Sequence, residues 1–275
     1  LEFRRVLFRS ALFLESELWP NLILTARARR IPLGLVNARF TARAHRGWSR
    51  MRGLARRVLS SFDLVLAQDE AVATRLTDLG APSVSVTGSI KADADALPAN
   101  GADLATFRDA VMNRPILLAA STHAGEEDLL CDVYETLRAD FPNLLLVIAP
   151  RHPERGADIA ALADRRGLAA ARRSAGALPA AATALYIADT LGELGLFYRA
   201  APFAFLGGSL IPHGGQNPLE PAKLGVAVVT GPHTANFATI FEVLLAATSR
   251  RSWSPSRIFC RAWACSGPNR RAKFL

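Results

Sequence analysis

The chain has 275 residues, of which 50% are hydrophobic, 21% charged and 8% aromatic, and its formal net charge is +9. This composition is typical of a globular protein with one large or two modest domains, and it excludes a disordered chain, a collagen-like chain and a disulfide-rich miniprotein. Because residues 1–10 carry +2 and residues 249–275 carry +7, residues 11–248 are neutral, so the charge says little about what they bind.

The two ends differ in character from the segment between them. Residues 1–10 resemble a translated cloning adapter and are left out of the fold prediction. Residues 249–275 show neither helical nor strand periodicity, and we interpret them as a frameshifted or disordered tail, with a basic partner-binding tail as the alternative. Cys131 is the single cysteine between the ends, which predicts a reducing compartment and no disulfide framework.

The first half of the chain alternates strand and helix patterns. Strands are predicted at 11–14, 33–36, 63–67 and 84–87, and helices at 20–29, 48–60 and 69–79. A small polar stretch from residue 91, typical of a linker, follows and leads into a short helix.

The alternation then resumes. Strands are predicted at 116–120, 144–148, 184–187, 203–206 and 226–229, with helices at 126–140, 154–166, 193–200, 218–224 and 236–247. Alternating strands and helices indicate parallel sheets, so we predict two α/β domains, residues 11–98 and residues 99–248. Their longest apolar runs are far shorter than the ~20 residues of a membrane span.

Polar residues follow the predicted strands, where α/β sheets bind ligands. Ser121 and Thr122 form a predicted helix cap with Glu127 downstream; the alternative is an anion site. Between two prolines, Arg151 and His152 could contact a phosphate or a base, or form only a solvated turn.

The richest junction is residues 205–223, where four glycines, a histidine, an amide pair and a glutamate precede a predicted helix. There Asn217 is predicted as the N-cap and Pro218 as the first helical residue, with Glu220 placed to accept hydrogen bonds from ribose hydroxyls. Gly192, at the start of another helix, would allow close approach of a ligand.

The first half offers weaker signals. Glu15 and Glu17 follow the first strand, where they could act as acids or only stabilise a helix start. Ten arginines between Arg27 and Arg57 either cover solvated helix faces or attract an anionic lipid or a phosphorylated acceptor. The five histidines are scattered along the sequence, so we predict no metal site.

Eight motifs in a fixed order between residues 11 and 247 resemble the bacterial 3-deoxy-D-manno-octulosonic acid (Kdo) transferase family. They are Glu15–Asn21, Val36–Arg39, Gln68–Glu70, Thr87–Lys91, Ser121–Glu127, Pro150–Arg155, Asp189–Leu194 and His213–Ala222.

The resemblance implies a GT-B fold of α/β class, with two Rossmann-like domains, the first one truncated. It implies an inverting transfer of Kdo from CMP-Kdo to the lipid A precursor (lipid IVA) at the cytoplasmic face of the bacterial inner membrane. The expected partners are therefore that donor, that acceptor and the membrane surface, with no nucleic acid and no cofactor.

The resemblance also assigns roles to residues. Glu15 and Lys91 match positions that stabilise the transition state, and an ammonium beside a departing phosphate would offset developing charge. The positions that match CMP contacts are Arg151, His152, Gly192, Glu193, Leu194, Asn217, Pro218, Leu219 and Glu220.

Two departures from the family pattern affect the expected activity. The family's general base lies in a Ser-Val-Gly-Glu segment, near an N-terminal membrane anchor, and this sequence contains neither; Ser89 also replaces the usual asparagine before Lys91. We therefore expect donor binding with little turnover.

Two other classes of function compete with this interpretation. One is another GT-B nucleotide-sugar enzyme, a UDP-sugar transferase or epimerase, which would prefer UDP to CMP. The other is a non-catalytic binder of membrane surfaces or nucleic acid that uses the basic ends, and its binding would weaken steeply with salt.

Overall fold

The computed structural model describes residues 9–90, 93–248 and 273–274. The chain divides into two compact units, Leu1–Ala94 and Asp95–Leu275, whereas the predicted boundary falls between residues 98 and 99. Leu97 belongs to the second unit, where its carbonyl oxygen accepts a hydrogen bond from Arg199. Apart from residues 9, 10, 273 and 274, the predicted adapter and tail lie outside the described residues.

The first unit is a four-stranded parallel sheet with its helices between consecutive strands. In chain order its elements are β1 (Ala11–Leu14), α1 (Pro20–Ala28), β2 (Leu33–Ala38), α2 (Ala42–Ser49), α3 (Arg52–Leu59), β3 (Leu64–Ala67), α4 (Glu70–Asp78) and β4 (Val84–Val86). The strand order is β1-β2-β3-β4. Phe13 and Phe62 pack edge to face in its core, with ring centroids 5.6 Å apart.

The helix predicted over 48–60 is confirmed from residue 52, where α3 begins, but a separate helix that was not predicted, α2, precedes it. α2 begins at residue 42, where the Thr41 hydroxyl accepts a hydrogen bond from the Ala44 N–H, and it ends at Ser49. The backbone leaves helical geometry at Met51, whose φ of −121° and ψ of 48° separate α2 from α3.

The second unit is a seven-stranded sheet. Its elements are α5 (Gly101–Val111), β5 (Ile116–Thr122), α6 (Glu126–Leu137), β6 (Leu145–Pro150), α7 (Gly156–Arg165), β7 (Ala170–Arg172), β8 (Leu185–Ile187), α8 (Leu194–Ala200), β9 (Phe203–Leu206), α9 (Leu219–Lys223), β10 (Ala227–Thr230), α10 (Ala238–Thr248) and β11 (Lys273–Phe274). The strand order is β11-β10-β9-β5-β6-β8-β7, and β11 alone pairs antiparallel. β7 is an edge strand that the sequence patterns missed, since it has three residues.

Alternate residues of the central strands enter two cores, one on each face of the second sheet. Leu118, Leu145 and Tyr186 belong to one cluster, while their neighbours Leu117 and Leu146 belong to the other. A sheet buried on both faces has the uniformly apolar strands seen in parallel α/β proteins. The predicted α/β class with two Rossmann-like parallel-sheet units, as in GT-B enzymes, is confirmed.

The strand order locates the crevice in which such sheets bind ligands. From β5 the chain builds the sheet outward through β6 and then returns to place β9 on the opposite side of β5. Loops at this reversal diverge and leave a crevice at the carboxyl ends of the strands. Among the described residues, no helix has the length and hydrophobicity that a membrane span requires.

Candidate functional site

A cavity of about 220 Å³ lies at the carboxyl ends of the central strands of the second unit. Its lining comes from the loops after β5, β6 and β8 and from two helix starts, and it includes Ser121, Arg151, Thr190, Gly192, Leu194 and Glu220. Four of the residues predicted to contact CMP, namely Arg151, Gly192, Leu194 and Glu220, therefore face one space although they come from three separate loops.

Gly192 has the conformation that its predicted role requires. Its φ of +81° lies in the left-handed region, and a Cβ built there would have no atom within 4 Å. Any side chain at this position would therefore be strained and would extend into open space beside the cavity. The bare backbone leaves that space to a ligand.

The side chains of Glu193 and His152 are placed differently from those four residues. The carboxylate of Glu193 accepts hydrogen bonds from Arg173 and from the Thr190 hydroxyl. Arg173 holds the pKa of that carboxyl below its usual value, so Glu193 stays charged and bound to Arg173 and Thr190. His152 is exposed, and its Nδ1 lies 3.8 Å from a carboxylate oxygen of Glu154.

The helix α9 begins one residue later than predicted. Pro218 is the N-cap, and the first helical residue is Leu219. The Asn217 side chain still supports the start of α9, because its Oδ1 accepts a hydrogen bond from the Leu219 N–H at 3.1 Å. Its amide nitrogen lies 3.4 Å from a carboxylate oxygen of Glu220, so Asn217 also orients the glutamate that lines the cavity.

The predicted cap of α6 by Ser121 and Thr122 is wrong. β5 continues through Thr122, and the residue before α6 is Gly125, which provides no side-chain cap. Ser121 has a φ of 56°, which shifts the register of β5 against β6 at this point. The Thr122 hydroxyl instead donates to Glu127 at 2.8 Å.

A buried carboxylate of the protein connects two loops at the start of α6. Glu126 is fully buried and accepts four backbone N–H bonds. One comes from His123 at 2.9 Å, and three come from Gly208 (2.7 Å), Ser209 (3.0 Å) and Leu210 (3.0 Å) in the loop after β9. Glu126 thus joins the loops that follow β5 and β9.

Three histidines that are scattered in sequence converge at the same edge of the sheet. The ring centroids of His123 and His213 are 4.0 Å apart, and those of His123 and His152 are 6.0 Å apart. Within the part of the chain that the structure describes, no group of His, Cys, Asp or Glu side chains has an arrangement suited to a metal ion. Sequence spacing could not reveal this cluster, because each ring follows a different strand.

Asp189 is a buried carboxylate that sequence reasoning did not connect to Arg172 and Ser174. Its Oδ2 accepts from both Arg172 nitrogens and from the Ser174 hydroxyl, and its Oδ1 accepts from the Ser174 N–H at 2.9 Å. Burial alone would raise the pKa of this carboxyl, but the Ser174 and Arg172 donors lower it below its usual value. Arg172 is the last residue of β7 and Ser174 follows it. Because the sequence patterns missed β7, no predicted element pointed to either residue.

Stability should therefore depend on Asp189 at low pH. A carboxyl with a lowered pKa in the folded state stabilises the fold above about pH 4, and this contribution disappears as pH falls through the lowered pKa. We expect Asp189→Asn to be less stable than the wild type by about 2 kcal/mol of unfolding free energy at pH 7. On acidification, the unfolding free energy of Asp189→Asn should fall less than that of the wild type. Urea unfolding between pH 2.5 and 7 measures this, with the exposed Asp164→Asn as control; equal pH slopes in wild type and Asp189→Asn would contradict it.

In the first unit, motif residues also converge at the carboxyl edge of the sheet. Glu15 has a φ of 55°; its N–H donates to the Val36 carbonyl oxygen, and its own carbonyl oxygen accepts from Arg39. The buried Asn37 accepts from the Gln68 amide through its carbonyl oxygen and from the backbone of residue 90 through Oδ1. Lys91, which the sequence paired with Glu15, lies outside the described residues.

Comparisons with known proteins agree with this arrangement. A family model described as 3-Deoxy-D-manno-octulosonic-acid transferase (kdotransferase) matches residues 3–94. The second unit is similar to a crystal structure of the C-terminal CMP-Kdo binding domain of WaaA from Acinetobacter baumannii. The two are 33% identical, with a TM-score of 0.52, over 60% of this chain and 87% of that one. The chain belongs to the Kdo transferase family.

Full-length members of this glycosyltransferase family extend the match across both units. The 3-deoxy-D-manno-octulosonic acid transferase of Haemophilus influenzae is 40% identical over 237 residues, 84% of this chain and 55% of the relative. That of Bordetella pertussis is 40% identical over 235 residues, 83% of this chain and 54% of the relative. The chain thus spans about half the length of these relatives.

Proposed function

We propose that the second unit binds CMP-Kdo in the cavity at the ends of β5, β6 and β8. The observation that carries this proposal is the convergence of Arg151, Gly192, Leu194 and Glu220 on that cavity. The likeness to the CMP-Kdo binding domain of WaaA supports it.

The chemistry of the lining suits a cytidine monophosphate. The Arg151 guanidinium can bind a phosphate or a base carbonyl through two parallel hydrogen bonds. Glu220, held by Asn217, can accept from two ribose hydroxyls. Gly192 leaves backbone accessible at close range, and none of these contacts needs a metal ion or a cofactor.

We propose further that the reaction is the inverting transfer of Kdo to the lipid A precursor, lipid IVA, at the cytoplasmic face of the bacterial inner membrane. Glu15 and Lys91 would stabilise the transition state, and we expect residues 1–275 to bind the donor with little turnover.

The first unit provides a surface that suits this acceptor. Six arginines on or beside α2 and α3 are exposed, namely Arg43, Arg46, Arg50, Arg52, Arg56 and Arg57. An acceptor with two phosphates at an anionic membrane surface would be attracted to such a cluster. The same charges would draw the unit toward the lipid headgroups.

Removal of the Glu220 carboxylate tests the donor site. We expect Glu220→Ala to weaken CMP binding on the order of 30-fold, because two charge-assisted hydrogen bonds to ribose are lost. Calorimetric titration with CMP measures this. Glu242→Ala, which removes an exposed glutamate from α10, should leave the affinity unchanged.

The nucleotide base separates the proposal from its alternatives. CMP should bind and UDP should not; the reverse preference would favour a UDP-sugar enzyme. Binding that is lost at high salt and is unchanged by Glu220→Ala would favour the non-catalytic basic binder. If a chain shown to be folded by circular dichroism binds neither nucleotide, the donor-site assignment is wrong.

A further inference from the structure

Three histidines and one glutamine form a compact group beside the cavity, which we call the histidine cluster: His123, His152, His213 and Gln216. The rings of His123 and His213 are 4.0 Å apart and inclined by 36°, and the Gln216 amide nitrogen lies 2.9 Å from Nε2 of His123. Gly208 makes room for this packing, because a Cβ there would lie 3.3 Å from the His123 ring and 3.4 Å from the His213 ring.

The histidine cluster borders the cavity, since the same loops supply both. Ser121, two residues before His123, lines the cavity, and so does Arg151, the neighbour of His152. Gln216 stands four residues before Glu220, which lines the cavity as well. These neighbours place the cluster and the cavity at the same edge of the sheet, where a ligand that extends from the cavity would approach the rings.

The carboxylates that act on His123 are engaged by other donors. Those carboxylates are Glu126 and Glu127. Glu126 accepts its four backbone N–H bonds, and Glu127 accepts from Thr122 and from both terminal nitrogens of Arg155. On the outer side, the exposed Glu154 approaches only His152, at 3.8 Å.

Burial and the neighbouring His213 ring therefore favour the neutral form of His123 in the absence of a ligand. Burial first, and then His213, lowers the pKa of His123, while Glu126 and Glu127 oppose this shift and His152 adds to it. An anion bound beside His123 would favour its charged form instead, so binding of the anion would be accompanied by proton uptake.

We propose that the histidine cluster is a subsite for the carboxylate of the sugar acid on the donor. This inference rests on the proposed function, because it assumes that the nucleotide lies in the neighbouring cavity. An imidazolium and a glutamine amide can both donate hydrogen bonds to a carboxylate. A neutral sugar has no carboxylate and therefore no negative charge to place there. The cluster would thus distinguish a sugar acid donor from a neutral one.

The donor's phosphate is the other anion that could occupy the cluster, so the test compares CMP with CMP-Kdo. Dissociation constants of both ligands are measured at pH 6.5, 7.5 and 8.5 for the wild type and for a His123→Gln/His213→Gln double variant. Glutamine keeps hydrogen-bonding capacity but cannot become charged. His45→Gln, the same substitution in the first unit, serves as control. Because the same ligands are compared in each protein, titration of the ligand itself cancels.

For the wild type we expect CMP-Kdo to bind about tenfold more tightly than CMP at pH 6.5, with that advantage lost by pH 8.5. The double variant should lose the advantage at all three pH values and keep the wild-type affinity for CMP, which also shows that its site is folded. His45→Gln should behave as the wild type.

Three results would overturn the inference. If CMP and CMP-Kdo bind the wild type equally at every pH, the carboxylate subsite is wrong while the CMP site stands. If the double variant loses CMP affinity to the same extent as CMP-Kdo affinity, the cluster contacts the phosphate instead. If the folded wild type binds neither ligand, the proposed function fails and this inference fails with it.

Discussion

Glu126→Ala should lower the free energy of unfolding by about 4 kcal/mol or more, since it leaves four buried backbone N–H groups without an acceptor. A buried donor without a partner costs about 1–3 kcal/mol, and solvent cannot compensate where the carboxylate had no exposed surface. The loop after β9 would lose its attachment to the loop after β5.

Urea unfolding measures this loss, and two further variants calibrate it. Glu135→Ala, at an exposed site on the same helix, should cost less than about 1 kcal/mol. Glu126→Gln keeps the size but turns an amide N–H toward backbone N–H groups, so about half of the loss should remain. Equal stabilities of Glu126→Ala and Glu135→Ala would show that the four N–H groups find other acceptors.

Arg155→Ala should cost about 3–5 kcal/mol, because it leaves the Glu127 carboxylate buried without its cation. The Arg155 nitrogens lie 2.5 and 3.1 Å from the two Glu127 oxygens, and the Glu127 side chain is 3% exposed. The pair connects the loop after β6 to the start of α6. Hydrogen bonding to Glu127 raises the pKa of Arg155, so the guanidinium stays charged.

A double variant separates the ion pair from simple packing. Arg155→Met/Glu127→Leu removes both charges and keeps much of the volume, so it should be more stable than Arg155→Ala alone. Arg165→Ala, at an exposed arginine of α7, is the matched control and should change stability by less than about 0.5 kcal/mol. If Arg155→Ala is as stable as Arg165→Ala, solvent reaches Glu127 and the ion pair is not needed.

Local sequence patterns predicted most strands and their alternation with helices, because hydrophobic periodicity and turn residues are short-range signals. Residues 203–206 form a strand as predicted, since a buried parallel strand is a continuous apolar run between turn residues. The same reasoning missed β7, an edge strand of three residues whose apolar content is two alanines. It also missed α2 and began the next helix four residues early, because the non-helical backbone at Met51 leaves no mark on hydrophobic periodicity.

The motifs were informative about family but not about what each side chain does. In Ser121–Glu127, for example, Glu126 accepts backbone N–H bonds and Glu127 binds Arg155. Asp189 likewise holds β7 in place. Several motif positions therefore keep loops in place around the cavity.

The sequence by itself determined the α/β class, the approximate element boundaries and the resemblance to Kdo transferases, because each rests on local periodicity or on residues adjacent in the chain. Only the tertiary structure decided which side chains share a space. Loops from separate strands bring Arg151, Gly192 and Glu220 to one cavity and three distant histidines to one cluster. That convergence depends on strand order in the sheet, and strand order is set by packing between segments far apart in sequence.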